Sequence, residues 1–109
     1  MSKQLLICYG TLMHSGLPIK GELTLEGDMY SLDAYPAVTN LDSSNKFYCQ
    51  VAQVTREDLA ILDHYENVQG GLFRREKIDT EYGPAWIYIF NQELPDHAKP
   101  IQDWRKETV

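Results

Sequence analysis

Strand-like segments dominate this chain of 109 residues, and one segment has the period of a helix. The strand-like segments are QLLICY, KGELTLEGDMYSL, YPAVTNL, KFYCQVAQV, LFRREKIDT and AWIYIF. Residues 56–65 form the predicted helix because their apolar residues fall three apart, and Thr55 with Asp58 has the spacing of a capping box. Since an open sheet of this size would have two bare edges, the pattern predicts an α+β fold built on a closed or nearly closed β-barrel.

The chain has the length of one folded unit. We expect a single domain over residues 1–109, with a core at residues 3–90. Residues 91–109 are polar and contain two prolines, which indicates a peripheral tail with a helical turn near Trp104. No apolar run approaches the roughly 20 residues of a membrane-spanning helix, and residues 1–9 lack the cleavage site of an export signal. We therefore expect a cytoplasmic protein without a membrane partner.

The charge balance bears on the possible partners. The chain has 10 Lys and Arg residues and 16 Asp and Glu residues, which gives a formal net charge of −6. Such a surface repels a phosphate backbone, so we expect no nucleic-acid partner. Cys8 and Cys49 both lie in apolar segments, where a free thiol behaves as a small buried hydrophobe.

Familiar catalytic motifs are absent from the sequence. His14, His64 and His97 are far apart and lack the spacing of a zinc site. The H-x-E formed by His64 and Glu66 is not followed by the second half of a zinc deaminase signature. Phosphate-binding glycine loops and the serine nucleophile elbow are also missing. We therefore expect no metal and no cofactor, and a reaction without a protein nucleophile.

Two short segments are candidates for a functional site. In YGTLM, Gly10 follows the first strand, and a glycine there lets backbone N–H groups converge on a carboxylate or a developing oxyanion. In LDHYENVQGGLFRRE, Glu66 lies at the end of the predicted helix, where the helix dipole disfavours a negative charge. An acid placed against its local preference is frequent at functional sites. The alternatives are a plain strand-to-loop turn and a frayed surface glutamate.

These segments also carry a family resemblance. YGTLM, then DAYPAVTN, then LDHYE followed by a glycine loop and FRRE together resemble the gamma-glutamylcyclotransferase-like family, in particular its gamma-glutamylamine cyclotransferase branch. The resemblance covers roughly residues 5–90. It implies a small mixed β-barrel with flanking short helices, and an enzyme that acts on a small-molecule γ-glutamyl substrate.

The resemblance implies a reaction that uses the substrate's own nucleophile. The α-amine of the glutamyl group attacks the γ-carbonyl, closes a five-membered ring, and releases 5-oxoproline with a free amine or amino acid. Glu66 matches the family's catalytic acid and would act first as general base and then as general acid. Because a glutamate with a pKa of ~4.3 is a weak base toward an α-amine with a pKa near ~8, burial has to raise the pKa of Glu66. The residues expected to bind the substrate are Tyr9, Gly10, Thr11, Leu12, Tyr35, Pro36 and Phe73.

Two positions depart from the family's pattern. The chain has Asn67 where the family often has glycine, and Phe73, without a hydroxyl, where it often has tyrosine. Two other functions stay open: a non-catalytic module that binds a small carboxylate or a peptide end, and an enzyme that removes a γ-glutamyl group from an acylated metabolite. The cyclotransferase is favoured, because a protein that only binds an anion has no use for a carboxylate facing it. The leaving amine and the oligomeric state are not fixed by the sequence.

Overall fold

The computed structural model describes residues 3–107, so both ends of the predicted domain, residues 1–2 and 108–109, lie outside the described range. The strands are β1 (Lys3–Cys8), β2 (Ile19–Glu26), β3 (Asp28–Ser31), β4 (Pro36–Asn40), β5 (Lys46–Thr55), β6 (Phe73–Thr80), β7 (Gly83–Phe90) and β8 (Lys99–Ile101). The helix α1 spans Arg56–Tyr65, and short 3-10 helices span Thr11–His14 and Trp104–Lys106. Among residues 3–107, no helix is long and apolar enough to cross a membrane.

Helix α1 occupies the predicted residues 56–65, and its start shows why. The Thr55 hydroxyl accepts a hydrogen bond from the Asp58 backbone N–H at 3.0 Å. The Asp58 carboxylate in turn accepts one from the Thr55 N–H at 2.9 Å. The predicted capping box is therefore confirmed, and it satisfies two N–H groups that the first turn leaves without partners.

The strands form two separate sheets. Five strands are arranged in the order β2-β5-β1-β7-β6, and three in the order β4-β3-β8. Neighbouring strands are antiparallel except β1 and β7, which are parallel. The α+β class is correct, but the prediction of a closed β-barrel is wrong, because neither sheet closes within residues 3–107. Strands β2 and β6 are the two edges of the larger sheet.

The chain changes from one sheet to the other at Gly27. The segment KGELTLEGDMYSL was expected to form one strand, but it divides at Gly27 into β2 and β3, which belong to different sheets. A Cβ atom on Gly27 would lie 2.4 Å from the carbonyl oxygen of Asn40, so only glycine permits this approach. The edge strand β2 exposes Lys20, Glu22 and Glu26, and such charges protect an edge without closure.

Strand β1 lies at the centre of the larger sheet and is buried on both faces. Its side chains alternate between two hydrophobic clusters, with Leu6 and Cys8 in one cluster and Ile7 in the other. Helix α1 contributes Leu59 to the first cluster, and the smaller sheet contributes Met29 to the second. The expectation that Cys8 and Cys49 are buried free thiols is confirmed.

Residues 91–107, expected as a peripheral tail, contribute to both the second sheet and the core. Strand β8 pairs antiparallel with β3. The expected helical turn near Trp104 is present as a 3-10 helix, and the Asp103 side chain caps it by accepting from the Arg105 N–H at 3.0 Å. Trp104 is only 5% exposed and packs in the same cluster as Leu59.

Candidate functional site

A cavity of about 370 Å³ lies at one end of the strands of the larger sheet. Because β1 and β7 are parallel, both have their carboxyl ends at this end of the sheet. Tyr9, the first residue after β1, and Tyr88, near the end of β7, both line the cavity. Strand β6 runs antiparallel to β7, so its first residue, Phe73, pairs with Phe90, the last residue of β7, at the same end of the sheet. This cavity is the candidate site.

Helix α1 starts at the opposite end of the sheet and runs back toward the cavity, where it ends at Glu66. The helix begins after Thr55, which pairs with Lys3 at the start of β1. Ten helical residues extend about 15 Å, roughly the length needed to return along the sheet. Glu66 is the C-cap residue, and its backbone N–H donates to the carbonyl oxygen of Leu62 at 2.8 Å. The end of the helix therefore fixes the backbone from which the carboxylate extends.

All eight residues proposed from the sequence line this cavity. They are Glu66, Tyr9, Gly10, Thr11, Leu12, Tyr35, Pro36 and Phe73. The structure adds Ile7, Ala34, Tyr65, Leu72 and Tyr88. Within this lining, which belongs entirely to the described residues, Glu66 is the one residue with a formal charge. The rest of the surface is aromatic, aliphatic or neutral and polar.

The turn after β1 depends on glycine because Gly10 packs against a proline ring. A Cβ atom at position 10 would lie 2.6 Å from Cγ of Pro36, closer than real Cβ contacts allow. Gly10 also starts the first 3-10 helix, since its carbonyl oxygen accepts from the Met13 N–H at 3.0 Å. The N–H groups of Thr11 and Leu12 precede that bond, so they have no acceptor inside the helix. Thr11 and Leu12 both line the cavity.

The surroundings of Glu66 change its acidity. Burial raises the pKa of its carboxyl group to about 7, in the direction that a base for an α-amine requires. Burial also raises the pKa of the Tyr9 phenol, and the charge of Glu66 contributes to that rise. Tyr9 therefore keeps its proton.

Hydrogen bonds connect Tyr9 and Tyr88 in the cavity wall to Asp63 on helix α1. The Tyr9 hydroxyl donates to the backbone carbonyl of Tyr88 at 2.6 Å. The Tyr88 hydroxyl donates to Oδ1 of Asp63 at 2.8 Å. The same carboxylate oxygen is 3.0 Å from Nε of Arg75, whose guanidinium lies 4.2 Å from the ring centre of Trp86. Each phenol proton thus has an acceptor inside the protein.

The two departures from the family's pattern have local explanations. Asn67 follows the helix with φ +52, a left-handed conformation that asparagine tolerates better than other residues with a side chain. Its Oδ1 accepts from the Gly70 N–H at 3.2 Å, which orders the glycine loop. Phe73 is 4% exposed and packs edge-on against Phe90 at 5.4 Å between ring centres. An aromatic ring without a hydroxyl suits that buried position.

The sequence leaves Tyr88 and Tyr65 out of the expected site: a strand tyrosine such as Tyr88 could reach a pocket, but such residues more often belong to the core. Tyr88 sits in an apolar strand and looks like any core aromatic residue; the signal that places it in the cavity is the parallel pairing of β1 with β7, a long-range contact. Tyr65 is 70% exposed and marks the outer rim of the cavity. Its position beside Glu66 at the helix end was the available signal. Within residues 3–107, no three His, Cys, Asp or Glu side chains are arranged to hold a metal ion.

Comparisons with known proteins agree on one family. A family model described as gamma-glutamyl cyclotransferase, AIG2-like, matches residues 6–106. A Vibrio cholerae protein, provisionally named a gamma-glutamylcyclotransferase, is 33% identical over 106 residues, which cover 88% of this chain and 90% of that protein. Escherichia coli YtfP, named a gamma-glutamylcyclotransferase family protein, is 28% identical over 107 residues, covering 88% of this chain and 91% of its own length.

Two solved structures share the fold. The solution structure of Escherichia coli YtfP superposes with a TM-score of 0.73 at 25% identity, over 93% of this chain and 94% of that chain. The crystal structure of an uncharacterized protein from Pyrococcus horikoshii superposes with a TM-score of 0.76 at 21% identity, over 95% and 92% of the two chains. The family match covers nearly the whole chain and the fold agrees with it. This protein therefore belongs to the gamma-glutamyl cyclotransferase, AIG2-like family.

Proposed function

We propose that this protein is a γ-glutamylamine cyclotransferase that converts a small γ-glutamyl substrate into 5-oxoproline and a free amine. In this reaction the substrate's α-amine attacks its γ-carbonyl, a five-membered ring closes, and the bond from the γ-carbon to the leaving nitrogen breaks. The observation that carries the proposal is the position of Glu66. It is the charged residue of a cavity otherwise lined by neutral side chains, and its pKa is raised to about 7.

The main task of such an enzyme is to fold the substrate so that its two ends meet. Well-oriented intramolecular reactions reach effective molarities of roughly 10⁵ to 10⁸ M, so confinement alone supplies a large part of the rate. A cavity of about 370 Å³ is in the range that holds a small molecule. The ring of Tyr35, 6.1 Å from that of Phe73, narrows one wall. No protein nucleophile is needed.

Proton transfer is the second task, and burial of Glu66 makes it feasible. At its ordinary pKa, a glutamate is a weaker base than an α-amine by ~3.7 pKa units, or ~5 kcal/mol. With the pKa of Glu66 raised to about 7, the difference from an amine pKa near ~8 falls to ~1 unit, or ~1.4 kcal/mol. Glu66 would take the proton from the attacking amine and then deliver it to the leaving nitrogen.

The negative charges of the substrate need donors, and the glycine turn offers them. Among the lining residues, all of them described, there is no Lys, Arg or His. The backbone N–H groups of Thr11 and Leu12 at the start of the 3-10 helix are therefore the candidates for the glutamyl carboxylate or the developing oxyanion. Gly10 allows the substrate to approach this backbone without a side chain in between.

The experiment that tests the function is a substrate screen with 5-oxoproline as the readout. The purified protein is incubated with γ-glutamyl amines, γ-glutamyl dipeptides and γ-glutamyl-ε-lysine, and Glu66→Gln serves as the control. We expect release of 5-oxoproline by the natural protein with at least one γ-glutamyl amine. A folded protein that turns over none of them would favour a module that binds a small carboxylate, and turnover of a larger acylated metabolite alone would favour the third function.

A further inference from the structure

Tyr9 and Tyr88 line the same cavity as Glu66, and each phenol has already donated its only proton to another group. Tyr9 donates to the Tyr88 carbonyl at 2.6 Å, and Tyr88 donates to Asp63 at 2.8 Å. A tyrosine hydroxyl has one proton and two lone pairs. Each of these oxygens can therefore take part in further hydrogen bonds only as an acceptor, and on Tyr9 the backbone of Val38 already uses part of that capacity. Glu66 lines the same cavity; burial is the main cause of the raised pKa of both phenols, and the charge of Glu66 adds to it.

The ion pair behind Tyr88 fixes the direction of its hydroxyl. Arg75 Nε lies 3.0 Å from Oδ1 of Asp63, the same oxygen that accepts from Tyr88. Asp63 forms an ion pair with Arg75, and a carboxylate in an ion pair can only accept hydrogen bonds. Burial first, and then Asp63, raises the pKa of the Tyr88 phenol, so this hydroxyl retains its proton. The guanidinium of Arg75 is itself held over the Trp86 ring.

We propose that Glu66, Tyr9 and Tyr88 form a subsite of three hydrogen-bond acceptors that selects the α-ammonium group of the ligand, with Asp63 as the positioning residue for Tyr88. This inference rests on the proposed function. An α-ammonium has three N–H bonds, one for each acceptor. When Glu66 takes one proton, the amine becomes neutral, and rotation about the Cα–N bond turns the freed lone pair from Glu66 toward the γ-carbonyl carbon. The subsite thereby binds the ammonium group next to the base that converts it into the nucleophile.

The test compares two inert ligands that differ by the amino group alone, L-glutamate and glutarate, by calorimetry. The natural protein should bind L-glutamate more tightly. In Tyr88→Phe, the affinity for L-glutamate should fall about tenfold, as expected for a lost hydrogen bond to a charged group. The affinity for glutarate should stay within about twofold, since glutarate makes no such bond. Tyr82→Phe, which removes a phenol from the exposed turn between β6 and β7, is the matched control.

Asp63→Asn tests the positioning role without touching the cavity phenol. An asparagine amide can donate to the Tyr88 oxygen, which would turn the hydroxyl proton toward the cavity and replace an acceptor by a donor. The preference for L-glutamate over glutarate should then fall about as far as in Tyr88→Phe. Glu76→Gln, a carboxylate that pairs with Arg74, is the control. If Asp63 had only a structural role, Asp63→Asn would weaken the binding of L-glutamate and of glutarate equally. That result would overturn its assignment as a positioning residue.

The outcomes separate this subsite from the proposed function. Equal affinity for the two ligands in the natural protein, no binding of either, or an unchanged preference in Tyr88→Phe would each overturn the acceptor subsite. A protein that prefers L-glutamate and loses that preference in Tyr88→Phe, yet releases no 5-oxoproline from any substrate, would support the subsite and contradict the cyclotransferase. Thermal melts of each variant show that the binding data come from folded protein.

Discussion

Gly10 and Pro36 approach each other so closely that no side chain fits at position 10. A Cβ atom there would lie 2.6 Å from Cγ and 2.8 Å from Cδ of the proline ring. The turn after β1 and the first residue of β4 are therefore packed against each other at the cavity. This contact joins the two sheets next to the site and sets where the N–H groups of Thr11 and Leu12 lie.

The first prediction concerns Gly10→Ala. The added methyl group has to displace Pro36 or the turn, so we expect a loss of about 1–3 kcal/mol in unfolding free energy and a lower rate of 5-oxoproline release. Pro36→Ala removes the ring atoms that the methyl group meets. The loss of unfolding free energy in the double variant should therefore be smaller than the sum of the losses in the two single variants, by about 0.5 kcal/mol or more. Chemical denaturation measures all four proteins, and strictly additive losses would contradict the contact.

The second prediction concerns the capping box of α1. Thr55→Ala removes the hydroxyl that accepts from the Asp58 N–H, which typically costs about 1 kcal/mol. For a domain of this size, that corresponds to a fall in Tm of about 4–8 °C. Thr24→Ala, on the exposed side of β2, is the matched control and should change Tm much less. Equal effects of the two substitutions would mean that the cap does not stabilise the helix that ends at Glu66.

The third prediction concerns the buried thiols. Burial raises the pKa of both Cys8 and Cys49 to about 12, so neither forms a thiolate at neutral pH. We expect no labelling of the folded protein by thiol reagents at pH 8 and labelling of both positions after unfolding. Cys8→Ser and Cys49→Ser should lower Tm but change the turnover rate little, because the reaction uses the substrate's amine and not a thiol. A serine variant that melts normally but is inactive would refute this.

What the sequence could predict is what short-range patterns determine. The spacing of Thr55 and Asp58 and the period of residues 56–65 located α1 correctly, because capping and helical periodicity act over a few residues. The eight candidate residues came from three motifs, and they meet in one cavity. Each motif lies at the start or end of an element: after β1, at the start of β4 in the smaller sheet, and between the end of α1 and the start of β6.

Short-range patterns could not predict that the larger sheet stays open or that Tyr88 lines the cavity. Closure would require β2 to pair with β6, and no local feature reports whether two distant edges meet. Charged residues along β2 protect its edge, so the argument that bare edges force closure did not apply. Tyr88 reaches the site because β1 and β7 pair in parallel, and β8 forms because β3 offers it an edge. All of these depend on long-range contacts.

The fourth prediction concerns the stability of Glu66→Gln at different pH values. Burial raises the pKa of Glu66 from 4.5 to about 7, so between these values the folded state holds a proton that the unfolded state has released. The stability of the natural protein should therefore fall as the pH rises through this window, by up to about 3 kcal/mol. Glutamine does not titrate, so the unfolding free energy of Glu66→Gln, relative to that of the natural protein, should increase between pH 5 and pH 8. A stability difference that does not change with pH would contradict the raised pKa.

The fifth prediction concerns catalysis by the same variant. Glu66→Gln keeps the size of the side chain but removes the base, so the folded protein should still bind glutarate while cyclisation falls. General acid–base catalysis typically supplies ~10² to 10⁴-fold, and we expect a loss of at least that order. In the natural protein, activity should rise with pH through an apparent pKa near about 7 as Glu66 ionises. That rising limb should be absent from the residual activity of the variant.

The control for this last experiment is Glu57→Gln, which removes an exposed glutamate from the first turn of the same helix. It should keep both the rate and the pH profile, because Glu57 lies at the other end of α1 from the cavity. Release of 5-oxoproline is measured against pH for the three proteins, with melts recorded at each pH. A Glu66→Gln protein that melts normally and retains more than about a tenth of the rate would fall well short of the ~10²-fold loss expected for a missing base. Proton transfer would then have to be assigned to another group of the cavity or to the substrate itself.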